Sequence, residues 1–432
     1  MSAAVTDKNP TAEVASRIEK HLPPTAAGLR AEALQAFKAQ GLPVAKAEEY
    51  KFTPITRTLE RTFNLATDNA AAQAVDPSTY TIPGLEADVL VFVNGIYHAA
   101  ASSVNAKVTV LPLSEALKTH TDLVLKHLGQ YADVKSDALT AWNTASFADG
   151  VFVHVPDKTE VERPIALYHI HDTRGGQVMA ANRNLIVVGK SSQVTVIEKF
   201  DTVGTAASFS NTVTEAFVSE NAGLEFYSLQ NDAGRHQFGQ TTVYQQNFSR
   251  VNTYTFTLNG KLVRNNLQLS LDGEGIESHM YGLYLLTNDT LADNHTVVDH
   301  KKANSFSNEL YKGIMDGSSR GVFNGKIYVR PQAQKTNAFQ ANRNILLTDK
   351  ATVNTKPQLE IWADVVKCSH GCTTGQLDEE ALFYLRARGV DKASAQAMIL
   401  YAFVGEVLNN IKHPLLKEYL EKIVAERLHQ NN

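Results

Sequence analysis

The chain has 432 residues, of which 20% are charged, and its formal net charge at pH 7 is −4. Because basic residues are not in excess, we expect it to bind neither nucleic acid nor an anionic membrane surface. No apolar segment approaches the roughly 20 residues that span a bilayer, and the first residues lack the pattern of a signal peptide. With 2 cysteines there is no disulfide framework, so a cytoplasmic location is expected. This length predicts two or three domains.

The N-terminal part has the residue spacing of two helices, over residues 11–40. Val14 and Ile18 fall on one face of the first helix, which Thr11 can cap, and Gly41 followed by Pro43 ends the second. Residues 41–54 then predict an extended arm, and the alanine-rich stretch 69–75 predicts a linker.

From about residue 88 to residue 368 the pattern changes to short strands bounded by Gly, Asn and Asp. The predicted strands are 89–94, 151–155, 185–188, 194–200, 224–230, 254–258, 267–271, 283–286, 322–329, 344–347 and 359–362. Long helical patterns between them are scarce, which argues against alternating strands and helices. A sandwich, a barrel and a β-solenoid remain as alternatives.

Two features favour the solenoid over the sandwich and the barrel, although no strict repeat is evident. The strand series runs for over 250 residues without a change of composition, and it contains asparagine-rich segments that suit tight corners with left-handed backbone. The asparagines predicted to form corners are Asn265, Asn266, Asn304, Asn308, Asn324, Asn337, Asn342 and Asn344.

The last 55 or so residues are predicted to be helical again. Asp378 and Asp391 can cap two helices, Gly389 suits the end of the first, and Pro414 suits the first turn of a third. The apolar faces of these helices exceed what three helices can bury among themselves, which indicates a surface for a partner.

Two other motifs have simple structural interpretations. Gly189-Lys190-Ser191 resembles the end of a phosphate-binding loop, but the required glycine five residues earlier is replaced by Asn184, so a turn between strands is the better prediction. His295 and His300 lie near Asp293 and Asp299 and could form a metal cluster. A five-residue gap does not place both histidines on one strand face, and corner histidines bonded to their neighbours are the preferred interpretation.

The strongest chemical signal is Cys368-Ser369-His370-Gly371-Cys372, which holds both cysteines of the chain. Cys368 and His370 are two residues apart and would share a strand face. A thiolate and an imidazole are ligands for transition metals. The neighbouring Lys367 and a partly exposed position should lower the pKa of the Cys368 thiol. Zinc and iron–sulfur centres usually take four ligands, so this is half a site.

Several strings of residues in order resemble one family, the SufB/SufD family of iron–sulfur cluster assembly scaffolds, and within it the SufD branch. The strings are DNHTVVDH at 293–300, YKGI at 311–314, SRGVFNGKI at 319–327, AQKT at 333–336, KPQLEI at 356–361, VKCSHG at 366–371, GQLD at 375–378 and LFYLRARG at 382–389. The arm at 41–54 also resembles the SufD N-terminal signature and distinguishes the chain from SufB.

This resemblance implies a mainly β fold, a right-handed parallel β-helix between two helical domains. Residues 1–80 would be the N-terminal helical domain and arm, 81–370 the β-helix, and 371–432 a C-terminal helical domain that carries the ABC-type ATPase SufC. The β-helix would pair with that of SufB in a SufB–SufC–SufD complex. Homodimers of the isolated chain and a reduced flavin in the complex are further expectations of the family.

The resemblance also assigns the site. Cys368 and His370 match the cysteine and histidine of SufD implicated at the pairing surface, where a transient iron ion or iron–sulfur cluster would be shared with SufB and none would be held tightly by the isolated chain. Cys372 departs from the family, which commonly has alanine there. A small buried filler is the preferred interpretation of Cys372, and a third soft ligand is the alternative.

The expected function is therefore that of a non-enzymatic scaffold subunit that helps to acquire iron. The alternative is a β-helix carbohydrate-active enzyme, but no cluster of carboxylates with suitable spacing is evident. A metal-storage protein would need more ligands than this half-site supplies.

Overall fold

A computed structural model describes residues 9–44, 46–65, 74–105 and 107–430. Most of the predicted linker at 69–75 lies outside these residues. The strands of a ten-stranded sheet are β1 Asp88–Val93, β2 Ile96–Tyr97, β5 Ile165–Asp172, β7 Gln193–Val203, β9 Gly223–Asn231, β11 Arg250–Asn259, β13 Glu277–Leu286, β15 Phe306–Met315, β17 Thr336–Leu346 and β19 Val366–Gly375. The strands of a nine-stranded sheet are β3 Thr109–Pro112, β4 Val151–Val155, β6 Val178–Val188, β8 Ser208–Val218, β10 Arg235–Gln245, β12 Leu262–Leu271, β14 Leu291–His300, β16 Arg320–Val329 and β18 Thr352–Ile361. The α-helices are α1 Pro10–Lys20, α2 Ala27–Gln40, α3 Ile55–Thr62, α4 Leu113–Thr119, α5 Thr121–His127, α6 Ala138–Ser146, α7 Glu379–Ala387, α8 Lys392–Leu408 and α9 Pro414–Gln430.

From β4 onward, each strand along the chain joins the opposite sheet from the one before it, and strands two apart pair in parallel. Two strands therefore make one coil, and about 8 coils stack into a parallel β-solenoid. This confirms the predicted β-helix and excludes the sandwich and the barrel. Between the sheets, inward-facing residues such as Val188, Val218 and Leu271 form an apolar core along the stack.

One corner of seven successive coils has a left-handed residue, shortly after strands β4, β6, β8, β10, β12, β14 and β16 of the nine-stranded sheet. These residues are Lys158, Ser191, Asn221, Phe248, Gly275, Asn304 and Lys335, about 30 residues apart. The Gly-Lys-Ser segment is thus a turn, as predicted. Of the asparagines predicted to form corners, only Asn304 does so. The others were assigned wrongly, because they lie inside strands β12, β15, β16 and β17.

The C-terminal helices lie on the outer face of the ten-stranded sheet. Leu400 and Val404 of α8 and Leu416 of α9 join the outward-facing Tyr254 and Leu283 in one buried cluster. Asp378 and Asp391 cap α7 and α8 with side-chain hydrogen bonds, as predicted. Much of the apolar surface attributed to a partner is therefore covered by the chain's own sheet.

The N-terminal helices cover the other sheet. α1, α2 and α6 pack on outward-facing residues of the nine-stranded sheet, among them Met179 and Phe209. Asn9, rather than Thr11, caps α1, and Thr11 instead accepts a hydrogen bond from the backbone N–H of Leu42. Helices α4 to α6 fall within the region predicted as strands. They are only 7 to 9 residues long, too short for a clear periodic pattern.

The arm, residues 41–44 and 46–54, runs along the outer face of the nine-stranded sheet. Glu49 lies 2.6 Å from Lys326 Nζ of β16 and 3.2 Å from His295 Nδ1 of β14. Arg264 of β12 donates to the Glu49 carbonyl oxygen at 2.6 Å and lies 4.2 Å from the Tyr50 ring centre. Glu48 pairs with Lys356 of β18. The arm thus contacts four successive coils.

None of the described helices meets the length and hydropathy that a bilayer span requires.

Candidate metal-binding site

The last strand, β19, carries the predicted site. Cys368, His370 and Cys372 occupy alternate positions, so all three fall on one face. In the parallel register they lie opposite Ala338, Gln340 and Asn342 of β17, which are all buried. The predicted common face of Cys368 and His370 is therefore confirmed, and it continues the inward face of the solenoid. β19 also extends five residues beyond the predicted boundary at residue 370, so that Cys372 belongs to the strand.

The site lies at the open end of the stack, because among the described strands β19 is paired with β17 alone in its sheet. Cys368 is half-buried and packs against the apolar core. His370 and Cys372 are exposed at the open end of the stack. Cys372 is therefore not the buried filler that the sequence favoured. Its Sγ lies 2.8 Å from Thr355 Oγ1 of β18, so the site draws on both sheets.

The predicted lowering of the Cys368 pKa is wrong. Burial raises the pKa of this thiol above its ordinary value. Lys367 is the adjacent residue on a strand, so its exposed side chain points to the opposite face and does not favour the Cys368 thiolate. Cys368 is thus a protonated thiol near neutral pH, and a metal ion would have to displace the proton.

The two thiols should differ in reactivity, because Cys372 is exposed whereas Cys368 is half-buried and burial raises its pKa. At pH 7 we expect iodoacetamide to modify Cys372 faster than Cys368, because the thiolate is the nucleophile and burial disfavours it at Cys368. The rate at Cys368 should keep rising with pH beyond the usual thiol range near about 8.5. Peptide mass spectrometry of timed samples measures both rates, and guanidinium-unfolded chain, in which they should converge, is the control. Faster modification of Cys368 in the folded chain would contradict this description.

Among the described residues, no group of three or more His, Cys, Asp or Glu side chains is arranged to hold a metal ion. A metal at Cys368 and His370 would need ligands from elsewhere. The assignment of these two residues, and of Cys372, as metal ligands stays a prediction.

The alternative cluster at 293–300 is also explained. His295 Nε2 lies 2.9 Å from Asp293 Oδ1 on the outer face of β14, under the arm. His300 faces inward and its Nε2 lies 2.9 Å from Ser307 Oγ. The prediction that both histidines are bonded to their neighbours and lie on different faces is confirmed. Their placement at corners is wrong, because both lie within β14.

Sequence reasoning missed the residues of earlier coils that lie beneath the site. Gln340 of β17 donates to Glu309 Oε2 of β15 at 2.7 Å, and both side chains are buried inside the solenoid. Below Cys372, Asn342 Nδ2 donates to the hydroxyl of the buried Tyr284 at 2.9 Å. No local motif marks these residues. Only the strand register, through pairs formed about 30 residues apart, brings them to the site.

Comparison with known proteins identifies one family over most of the chain. The family model described as "SUF system FeS cluster assembly, SufBD core domain" matches residues 169–403, and that described as "SufBD protein N-terminal region" matches residues 11–167. The iron–sulfur cluster assembly protein SufD of Escherichia coli is 31% identical over 410 residues, covering 91% of each chain. An iron–sulfur cluster assembly SufBD family protein of Synechocystis is 31% identical over 396 residues, covering 89% of this chain and 87% of that protein. The chain therefore belongs to the SufB/SufD family and has a role in iron–sulfur cluster assembly by the SUF system.

Proposed function

We propose that this chain is a non-enzymatic scaffold subunit that presents Cys368 and His370 to iron or to a nascent iron–sulfur cluster. The observation that carries the proposal is an incomplete set of soft ligands at the open end of the solenoid. Cys368 supplies a sulfur donor and His370 a nitrogen donor on one strand face, and Cys372 adds a second sulfur two residues further along. Both types of donor suit iron. Iron is here the cargo of the assembly process.

The missing ligands are proposed to come from SufB, through pairing of the two β-helices. β19 pairs on one side with β17, and no described strand pairs with its other edge. An exposed edge of this length is a template for a further strand. Pairing there would place a second chain beside Cys368, His370 and Cys372 and would exclude water from them.

The ATPase SufC is proposed to bind the C-terminal helices. Although α8 and α9 bury their stripes on the sheet, α7 leaves Phe383 75% exposed and Tyr384 54% exposed, and Met398 of α8 is 53% exposed. Neighbouring exposed apolar and aromatic side chains are typical of an interface core. Two free thiols at an exposed site suit a reducing compartment, so we propose a cytoplasmic location.

Anaerobic purification of the tagged chain from its host tests the proposal. We expect an ABC-type ATPase and a SufB paralogue to co-purify in fixed proportion with the native chain and with Cys368→Ala and His370→Ala. Cluster formation by the purified complex should fall at least about 10-fold in both variants, the loss typical even of outer partners of metal ligands.

Ser369→Ala is the matched control. Ser369 lies between the two ligands on the opposite face of β19, so its loss should change neither partner recovery nor cluster formation. Loss of the partners in the Cys368 or His370 variants would make those residues structural. Recovery of the native chain alone, even after mild crosslinking, would overturn the partner assignment.

A further inference from the structure

Gln340 is the residue directly opposite His370 in the register of β17 and β19. Its side chain is almost completely buried, with 3% exposure, while His370 is exposed. The Gln340 amide nitrogen donates to Glu309 Oε2 at 2.7 Å, one coil further from the open end. Its amide oxygen, Oε1, is buried and has no hydrogen-bond partner among the described residues. A buried acceptor without a partner is unfavourable, so this oxygen is poised to accept a hydrogen bond.

The surroundings hold the Gln340 amide in place. Glu309 Oε2 accepts the hydrogen bond from the amide nitrogen, so the amide oxygen is left for another partner. Across the solenoid interior, a Cβ atom added to Gly325 of β16 would lie 2.2 Å from Gln340 Nε2. Glycine at this position therefore leaves the space that the amide occupies. Residues from two other strands thus fix a side chain that lies opposite His370 in the register of β17 and β19.

We propose that Gln340 is a positioning residue for His370, a proposal that rests on the proposed function of Cys368 and His370. When His370 binds iron, one ring N–H donates to Gln340 Oε1, and the other ring nitrogen, without a proton, is the ligand. A metal-bound histidine usually donates its second ring N–H to such an acceptor, which fixes the tautomer and the ring orientation. Glu309 in turn holds Gln340. The half-site is therefore built from a ligand, its acceptor and the anchor of that acceptor, one in each of three stacked strands.

Titration of the full-length chain with Co²⁺ under anaerobic conditions tests this, with the visible absorption of Co²⁺ as the signal. We expect Gln340→Met, which keeps the volume but removes the acceptor, to weaken Co²⁺ binding by about 10- to 100-fold. Gln268→Met is the matched control, because Gln268 lies on the outer face of β12 away from the site. Its affinity should equal that of the native chain.

A second pair of variants separates positioning from stability. Glu309→Gln keeps an acceptor for the Gln340 amide and should retain native affinity. Glu309→Leu releases Gln340 and should weaken binding, although the thermal unfolding midpoint is kept or raised because a buried carboxyl is removed. If Gln340 and Glu309 had only a structural role, the Co²⁺ affinity of the variants would instead change in parallel with their thermal unfolding midpoints.

The outcomes distinguish this inference from the function on which it rests. If His370→Ala weakens Co²⁺ binding and Gln340→Met does not, the positioning role is wrong and the ligand role stands. If the native chain binds no Co²⁺ at millimolar concentration, or if Cys368→Ala and His370→Ala bind it as well as the native chain, both the ligand role and the positioning role are overturned. Weakening by Gln340→Met and Glu309→Leu, together with native affinity in Glu309→Gln and Gln268→Met, would establish the positioning role.

Discussion

Replacing Asp293 with alanine is expected to destabilise the folded chain by about 3–5 kcal/mol, the usual effect of removing one partner of a buried ion pair. Asp293 Oδ2 lies 2.6 Å from Arg264 Nη1, and the two side chains are 1% and 2% exposed. Burial alone would raise the pKa of Asp293, but the opposite effect of Arg264 and His295 is larger, so the pKa falls to about 2. The carboxylate is thus charged at pH 7, and its removal leaves the Arg264 guanidinium buried without its counter-charge.

The same substitution should loosen the arm. Thr53 of the arm donates to Asp293, and Arg264 holds the Glu49 carbonyl and packs against Tyr50. We therefore expect faster hydrogen exchange at residues 46–54 in addition to the shift in denaturant unfolding at pH 7. Asp289→Ala is the control, because Asp289 pairs with Lys261 while 64% exposed and should cost less than about 1 kcal/mol. Equal losses in the two variants would show that burial of the Asp293 pair is energetically unimportant.

The second large effect concerns Glu309 and depends on pH. Burial raises the pKa of this carboxyl from 4.5 to about 7. Between these two values the folded chain keeps a proton that the unfolded chain has released, so stability falls as pH rises through that window. Above pH 7 the carboxyl is ionised in both the folded and the unfolded chain, so the full free-energy cost of burying the Glu309 carboxylate is present. Since one pKa unit is worth about 1.4 kcal/mol, Glu309→Gln should gain up to about 3 kcal/mol at pH 8 and little at pH 4.5.

Denaturant unfolding of native chain and Glu309→Gln at the two pH values measures this difference. Glu274→Gln, at an exposed position on the corner after β12, is the matched control and should change stability little at either pH. A gain for Glu309→Gln that is the same at pH 4.5 and pH 8 would mean that the carboxyl is already ionised in the folded chain at the lower value.

The ends of the chain could be predicted from local signals, and the middle only in part. Asp378, Asp391 and Pro414 mark helix starts that need no tertiary information. β8 and β10 were not predicted, because their inward positions hold polar residues such as Thr212 and Gln237 where a strand pattern requires apolar ones. The solenoid repeat is a repeat of backbone conformation. Residues as different as Lys158 and Phe248 adopt it at equivalent corners, so residue identity does not show the period.

The candidate site divides in the same way. Cys368 and His370 could be placed on one face because two-residue spacing on a strand is a local rule. The expected lowering of the Cys368 pKa is wrong because Lys367, although adjacent in sequence, lies on the opposite face of β19. Thr355, Gln340 and Glu309 come from other strands, and their place near the ligands depends on register, which no short segment encodes.

The route of the arm has a mechanical consequence. In a solenoid each coil contacts only its immediate neighbours. The terminal coil, formed by β18 and β19, should therefore unfold locally at a lower free energy than the interior coils. The arm contacts β12, β14, β16 and β18 in turn. Its last contact, between Glu48 and Lys356, is on β18, the strand that also carries Thr355. Local unfolding of the terminal coil is thereby coupled to release of the arm, an N-terminal segment. A force or a ligand that detaches the arm would lower the free energy of local unfolding of the coil that holds the two thiols, without contacting either thiol.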